Sequence, residues 1–374
     1  MKDVTVFVGG SVGSDPWSAK TWSGTSQRLL KAMEQGGLLD KAVGLKVPRL
    51  TDGLLLAKNF SRNRAAWRKQ YYLDPAYRRA LTAAAGRVRV ESPACMQYGT
   101  MMCLPDVFRD KRCVSYQDGN LAQSSTSGFG MQGVSAKRVE QALRYEEETS
   151  QKMAAVLTFS EYLRQSFIRD YRVPAEKVFN VGGAVNLTEI PAPVVGKDYA
   201  ANRILFIGIE FKRKGGAVLL EAFKRIREAV PDVELNIVGP AAMESLPEGV
   251  VFHGRLSKGD PEQKARLEKL FRECTLFVLP SLYEPFGIAP LEAMLYQMPC
   301  LLTNAWAFPE FVTPGVNGEL AEKGSAEDFA AKIIRLLSDP GQLAAMGMNG
   351  RERVLARYTW DAVVERVGEV VRGL

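Results

Sequence analysis

A chain of 374 residues, 46% hydrophobic and 24% charged, is long enough for two domains of ordinary size and has the composition of a globular protein. No apolar run approaches the ~18 residues that a membrane-spanning helix needs, and the opening Met1–Gly10 has neither the apolar stretch nor the small-residue cleavage site of a secretory signal, so a cytoplasmic protein is expected. The net charge of +7 is unevenly spread: residues 1–199 hold 28 Lys and Arg against 19 Asp and Glu, whereas residues 200–374 hold 21 against 23, which points to an anionic partner for the first half.

In chain order, short β-rich runs alternate with longer helical patterns, the rhythm of parallel sheets covered by helices. In the first half the strands are expected at Val4–Val8, Arg87–Glu91, Cys113–Gln117, Ala155–Phe159 and Lys177–Val181, with helices over Thr25–Glu34, Asp74–Ala85 and Ser135–Thr149. A proline-bearing segment, Ile190 to Ala201, reads as a linker. The rhythm then restarts with strand Arg203–Ile207, helix Ala217–Ala229 and strands Glu234–Val238, Val250–His253, Leu276–Leu279 and Pro299–Leu302, and Ala362–Val371 closes the chain as a helix. The expected domains are 1–195, 200–355 and a terminal helix, 356–374, returning to the first domain. Ligands of such sheets bind beyond the carboxyl ends of the strands, so a site in the cleft between two facing domains is expected. Five cysteines without Cys-x-x-Cys spacing and a single histidine argue for free, buried thiols and against zinc.

The most informative run is Leu276-Phe-Val-Leu-Pro-Ser-Leu-Tyr-Glu284-Pro-Phe-Gly-Ile-Ala-Pro-Leu-Glu292. An apolar strand ends at a Pro-Ser turn, presents the Glu284 carboxylate, and passes into a helix whose first N–H groups, at Phe286, Gly287 and Ile288, are left for phosphate or sugar oxygens. Two carboxylates around an anion-binding helix start suit a ligand with hydroxyls at both ends and phosphate between them. A second run, Arg203-Ile-Leu-Phe-Ile-Gly-Ile-Glu-Phe-Lys-Arg213-Lys214-Gly-Gly, places a basic loop between a strand and a helix, where cations stabilise charge on a departing phosphate. A plainer use for each is a helix cap at Glu284 and a solvated basic loop at Lys212–Lys214.

The eight-residue spacing of Glu284 and Glu292 resembles the Glu-x7-Glu signature of the family 4 retaining glycosyltransferases, and the resemblance extends from about Ala154 to Leu337. It rests also on the Lys214 loop, on Gly183-Ala-Val-Asn186, and on Pro309-Glu-Phe-Val with Gly315-Val-Asn-Gly318. The family implies a GT-B architecture, an α/β fold of two doubly wound Rossmann-like domains, and transfer of a sugar from a UDP- or GDP-sugar to an acceptor hydroxyl with retention and without a metal cofactor. Such enzymes act in glycan, polysaccharide or glycolipid synthesis. By the same resemblance Lys214 contacts the diphosphate, Glu284 the sugar and Glu292 the ribose. The turn His253-Gly254-Arg255 runs near the nucleobase, with a structural histidine as the equal alternative. The loop Trp22-Ser23-Gly24-Thr25-Ser26 lies over the donor phosphates. Many members carry arginine directly after the strand glycine, where this chain has Ile209, so Arg213 is the candidate second cation. Many also carry a first-domain histidine beside the reacting sugar; this chain offers Asp118 in Tyr116-Gln-Asp-Gly-Asn120 instead, as a catalytic polar group or as a turn residue. The acceptor proton then passes to a donor phosphate oxygen.

The segment Lys58–Tyr72 interleaves basic residues with aromatics. Its plain form is a helix with Phe60, Trp67 and Tyr71 packed inward; its alternative is peripheral contact with an anionic membrane at its inner face, while no nucleic-acid module surrounds it. Two other functions stay open on this architecture: a glycoside phosphorylase, and a non-catalytic nucleotide- or carbohydrate-binding relative.

Overall fold

The computed structural model describes residues 3–10, 13–187, 189–239 and 246–374. The chain divides into two compact units, Met1–Asn186 with Trp360–Leu374, and Leu187–Thr359. Each unit is built on one six-stranded parallel sheet.

In the first unit the strands are β1 (Val4–Gly9), β2 (Leu39–Leu45), β3 (Ala94–Tyr98), β4 (Arg112–Gln117), β5 (Ala155–Thr158) and β6 (Val178–Asn180), in the order β2-β1-β3-β4-β5-β6. Every residue of β1, β3 and β5 is buried, as expected of strands covered by helices on both faces. The second sheet comprises β7 (Arg203–Ile207), β8 (Glu234–Val238), β9 (Val250–Gly254), β10 (Leu276–Leu279), β11 (Cys300–Thr303) and β12 (Gly318–Ala321), ordered β12-β11-β10-β7-β8-β9. Its chain order reverses between β7 and β10. That reversal makes adjacent loops leave in opposite directions and opens a crevice at the strands' carboxyl ends.

The helices follow the apolar spacing. In helix Ala326–Leu337 the buried residues Phe329, Ala330, Ile333, Leu336 and Leu337 form one stripe, and that face packs on helix Gly216–Ala229. Each such Phe or Leu contributes about 1.5–3 kcal/mol on leaving water. Many helix starts are closed by a side chain: Asp74 accepts from Ala76 N–H, Ser160 from Leu163 N–H and Asp260 from Gln263 N–H. Three helices begin differently. Thr25–Gln35, Gly216–Ala229 and Ile288–Leu295 each follow a left-handed glycine (Gly24, Gly215, Gly287) and have no side-chain cap. All three stand on the loops that were singled out from sequence.

Three expectations need correction. Arg87–Glu91 is not a strand: Val88 and Val90 imitate strand alternation while packing half-buried against the core, and the central strand is Ala94–Tyr98. The segment Ile190–Ala201 is not a free linker. Gln297 accepts from Val194 N–H at 2.6 Å, the Tyr199 hydroxyl donates to the Gln297 carbonyl at 2.7 Å, and Lys197 Nζ donates to the Phe271 carbonyl at 2.9 Å. Burial there holds the Lys197 ammonium down at about 8. Phe60 is not packed inward, being 66% exposed, whereas Tyr71 is buried and Trp67 half-buried. The five cysteines are free and buried. Helix Trp360–Gly373 packs on helix Thr25–Gln35, and Trp360 Nε1 donates to the Val185 carbonyl at 3.1 Å.

Candidate functional site

The second unit gathers most of the candidate residues at the β7/β10 crevice. The loop after β7 carries Arg213 and Lys214 and ends at Gly215, whose φ of 76° opens the next helix. A Cβ at Gly215 would stand 1.8 Å from the Pro280 carbonyl oxygen, so only glycine lets this loop close on the loop after β10. Leu282 N–H donates to the Arg213 carbonyl at 2.8 Å and ties the two loops together.

That backbone contact brings three charges into one place. Glu284 is only 7% exposed and accepts from Lys214 Nζ and, at 3.4 Å, from Arg213 Nη1. Arg213 Nη1 also donates to the Tyr283 carbonyl at 2.8 Å, and its Nε donates to Glu210 at 2.8 Å. Burial works against the guanidinium charge, but Glu284 and Glu210 outweigh it and hold Arg213 above its usual range. The cluster is a cationic clamp of two side chains closed on a carboxylate. A phosphate group presents the same kind of acceptor to the same donors.

Gly287, with φ 92°, caps the following helix at Ile288, and Phe286 stands before that cap. The Phe286 ring packs against Phe311 at 4.9 Å, so this residue belongs to the core rather than to the first helical turn. Glu292, one turn on and 4% exposed, accepts from Lys258 Nζ. Ile209, at the place of the expected arginine, is exposed.

His253 has both ring nitrogens engaged. Nε2 donates to Asn236 Oδ1 at 2.7 Å, and Nδ1 accepts from Arg266 at 3.0 Å, the arrangement of a neutral ring. Burial first, and the Arg266 charge second, push its pKa down. The side chain braces β8 against β9; at this turn Gly254 has φ 66° and Arg255 is exposed.

In the first unit, Gly24 lies beside Asn186, whose Oδ1 would be 3.5 Å from a Cβ there and accepts from Arg28 Nε at 2.5 Å. Trp22, at the unusual φ of 49°, packs its ring 4.3 Å from Tyr98, and Tyr98 in turn packs on Tyr116. The buried Tyr98 hydroxyl and Trp22 Nε1 have no hydrogen-bond partner among the described residues. Asp118 follows β4 next to these phenols. Burial raises its carboxyl to about 6, and no side chain among the described residues donates to it. Among the described residues no three His, Cys, Asp or Glu side chains come together as metal ligands would.

Solved structures of other proteins match almost the whole chain. Sucrose-phosphate synthase from Thermosynechococcus elongatus matches with a TM-score of 0.70 at 19% identity, over 99% of this chain and 98% of that one. Anabaena HepE in complex with UDP-glucose matches with a TM-score of 0.64 at 16% identity, over 99% and 100%. The fold is GT-B.

Residues 192–353 match the family described as glycosyl transferases group 1, which takes in the clamp, Glu292 and the His253 turn. D-inositol 3-phosphate glycosyltransferase of Segniliparus rotundus is 32% identical over 179 residues, 46% of this chain and 40% of that protein. An MMP alpha-(1->4)-mannosyltransferase of Mycolicibacterium hassiacum is 29% identical over 228 residues, 58% of this chain and 54% of that protein. The chain thus spans about half the length of the curated relatives it matches. Within this GT-B chain, sequence reasoning missed Lys258 on Glu292, Glu210 on Arg213 and Arg28 on Asn186. Lys258 had a usable signal, since a buried carboxylate on the helix of the Glu-x7-Glu run needs a cation within reach.

Proposed function

We propose that the protein is a retaining glycosyltransferase of the Glu-x7-Glu type, moving a sugar from a nucleoside diphosphate sugar to an acceptor hydroxyl. One observation carries this reading: Arg213 and Lys214 converge on Glu284 at the switch point of the second sheet. The diphosphate takes over the two cations, with the Gly287 and Ile288 N–H groups at the uncapped helix start. Glu284, released from them, accepts from sugar hydroxyls, and Glu292 accepts from the ribose. The Gly254–Arg255 turn lies on the base side. As the bond from the anomeric carbon to the diphosphate breaks, negative charge grows on the phosphate oxygens, where preorganised cations stabilise it without a metal ion. The acceptor oxygen bonds to the same face of that carbon, and its proton passes to a phosphate oxygen of the leaving group. Asp118 is assigned to the acceptor side as a polar partner for that hydroxyl. Support comes from the family match over 192–353 and from the GT-B structures, one of which holds UDP-glucose.

The test is a panel of UDP, GDP, ADP, their sugar conjugates, inorganic phosphate and sugar phosphates, read by thermal shift with a chelator present, followed by transfer assays. A rise in Tm with one nucleoside diphosphate series, and metal-free transfer that Lys214→Ala lowers by about 30- to 1000-fold, are expected. A response to phosphate and sugar phosphates alone, with none to nucleotides, overturns the transferase in favour of a phosphorylase. Tight donor binding with neither transfer nor hydrolysis overturns catalysis.

A further inference from the structure

Helix Arg49–Lys58 turns its apolar side outward. Of its four leucines only Leu55 is fully buried, while Leu50 and Leu54, one turn apart, are 86% and 74% exposed. Exposed Ala57 continues the stripe and Phe60, 66% exposed, ends it. Phe60 is held in place by the Trp67 ring at 5.5 Å, and Trp67 is itself anchored by donation from Nε1 to the Leu56 carbonyl at 2.9 Å. A stripe this exposed, on a described and well-anchored helix, is the mark of a binding face rather than of scattered surface leucines.

The charge around it is one-sided. From Lys46 to Tyr72 the chain has seven Lys and Arg against one acid, Asp52, and Asp52 is taken up by the Tyr71 hydroxyl. The next acid, Asp74, is buried and holds Lys58 and Arg138. Lys46, Arg49, Arg62 and Arg64 therefore have no acidic partner among the described residues, and they flank the leucine stripe at both ends.

We infer that this face docks on an anionic lipid surface. A bilayer interface uses both halves of the pattern: leucines and a phenyl ring enter the acyl boundary while arginines and lysines meet lipid phosphates. A nucleic acid or acidic polymer engages the cations and leaves the leucines in water. A second copy docked face to face would set seven cations against seven.

The inference is independent of the proposed transfer reaction, because its test needs no donor. The full chain is mixed with vesicles of phosphatidylcholine alone, or with roughly a third phosphatidylglycerol, and the bound fraction is read by flotation. Binding to the anionic vesicles only, weakened by salt, is expected. Arg49→Gln with Arg62→Gln and Arg64→Gln weakens it about 100-fold, at roughly fivefold per cation. Leu50→Ser with Leu54→Ser weakens it at least tenfold, without lowering Tm. A second measurement leaves the leucines intact. Ala57→Cys, labelled with an environment-sensitive dye while the five native thiols stay buried, shifts to the blue on anionic vesicles. Equal binding to neutral vesicles, binding to neither, or full binding by the leucine variant overturns the inference. So does heparin binding that ignores the leucines, or a dimer that the leucine variant dissolves in place of vesicle binding.

Discussion

Replacing Glu284 by glutamine separates two effects that a merely structural residue would move together. The carboxylate is the one partner of Lys214 among the described residues, whereas Arg213 keeps Glu210. Breaking a fully buried pair costs about 3–5 kcal/mol. Here both cations are slightly exposed and the glutamine oxygen still accepts a hydrogen bond, so a loss of about 1–3 kcal/mol in stability is expected by urea titration. The cations, no longer neutralised, should bind a bare nucleoside diphosphate at least about tenfold more tightly by calorimetry, since one charge interaction at about 4 Å is worth about 1 kcal/mol in water and about 4 kcal/mol near a protein surface. Transfer should fall by about 30- to 1000-fold in kcat/KM, because the sugar loses a charged acceptor in the transition state. Opposite signs for diphosphate affinity and transfer are the signature. If both decline together, or if transfer stays near normal, the assignment of clamp and carboxylate fails.

Asp118→Asn tests the first unit. With the folded carboxyl near 6 and an unfolded value near 3.8, the native state binds more protons between those pH values, so wild-type stability falls as pH rises through that window and is flat above it. The asparagine variant should lack this slope and be more stable at pH 7 by about 1–3 kcal/mol, the lower end applying because the carboxyl is partly exposed. Its transfer activity should be lower, and the limb of the wild-type rate profile near pH 6 should vanish. Lys258→Met leaves the buried Glu292 carboxylate unpaired and should cost about 1–2 kcal/mol, which Glu292→Gln restores in the double variant by denaturant titration. Gly215→Ala drives a methyl group into the Pro280 carbonyl in a left-handed conformation, and should cost about 3 kcal/mol or more while abolishing diphosphate binding by calorimetry.

Much of the fold was legible because parallel strands buried on both faces read as apolar runs: Val4–Gly9, Arg203–Ile207 and Leu276–Leu279 stand where they were expected. Two of the four edge strands, Val178–Asn180 and Val250–Gly254, were legible as well, and the other two were not. Leu39–Leu45 contains Asp40, Lys41 and Gly44, and Gly318–Ala321 opens on a glycine at φ 157°; both are strands because a neighbour's open backbone groups pair with them. Ala94–Tyr98 was missed for the opposite reason. Alanine, cysteine, methionine and glutamine carry little strand propensity, and a place between β1 and β4 decides their conformation.

The residue types and spacings alone determined the alternation of strands and helices, the two-unit α/β organisation and the three glycine-opened loops, since these depend on local periodicity and on backbone freedom at glycine. Tertiary structure alone decided who meets whom. Lys214 and Glu284 are seventy positions apart and meet because β7 and β10 are neighbours; Lys258 reaches Glu292 across thirty-four positions; and His253 is braced by Asn236 and Arg266. It also decided that Leu50 and Leu54 face water while Leu55 faces the core, since a helix with leucines on both sides has no preferred inside until its neighbours supply one.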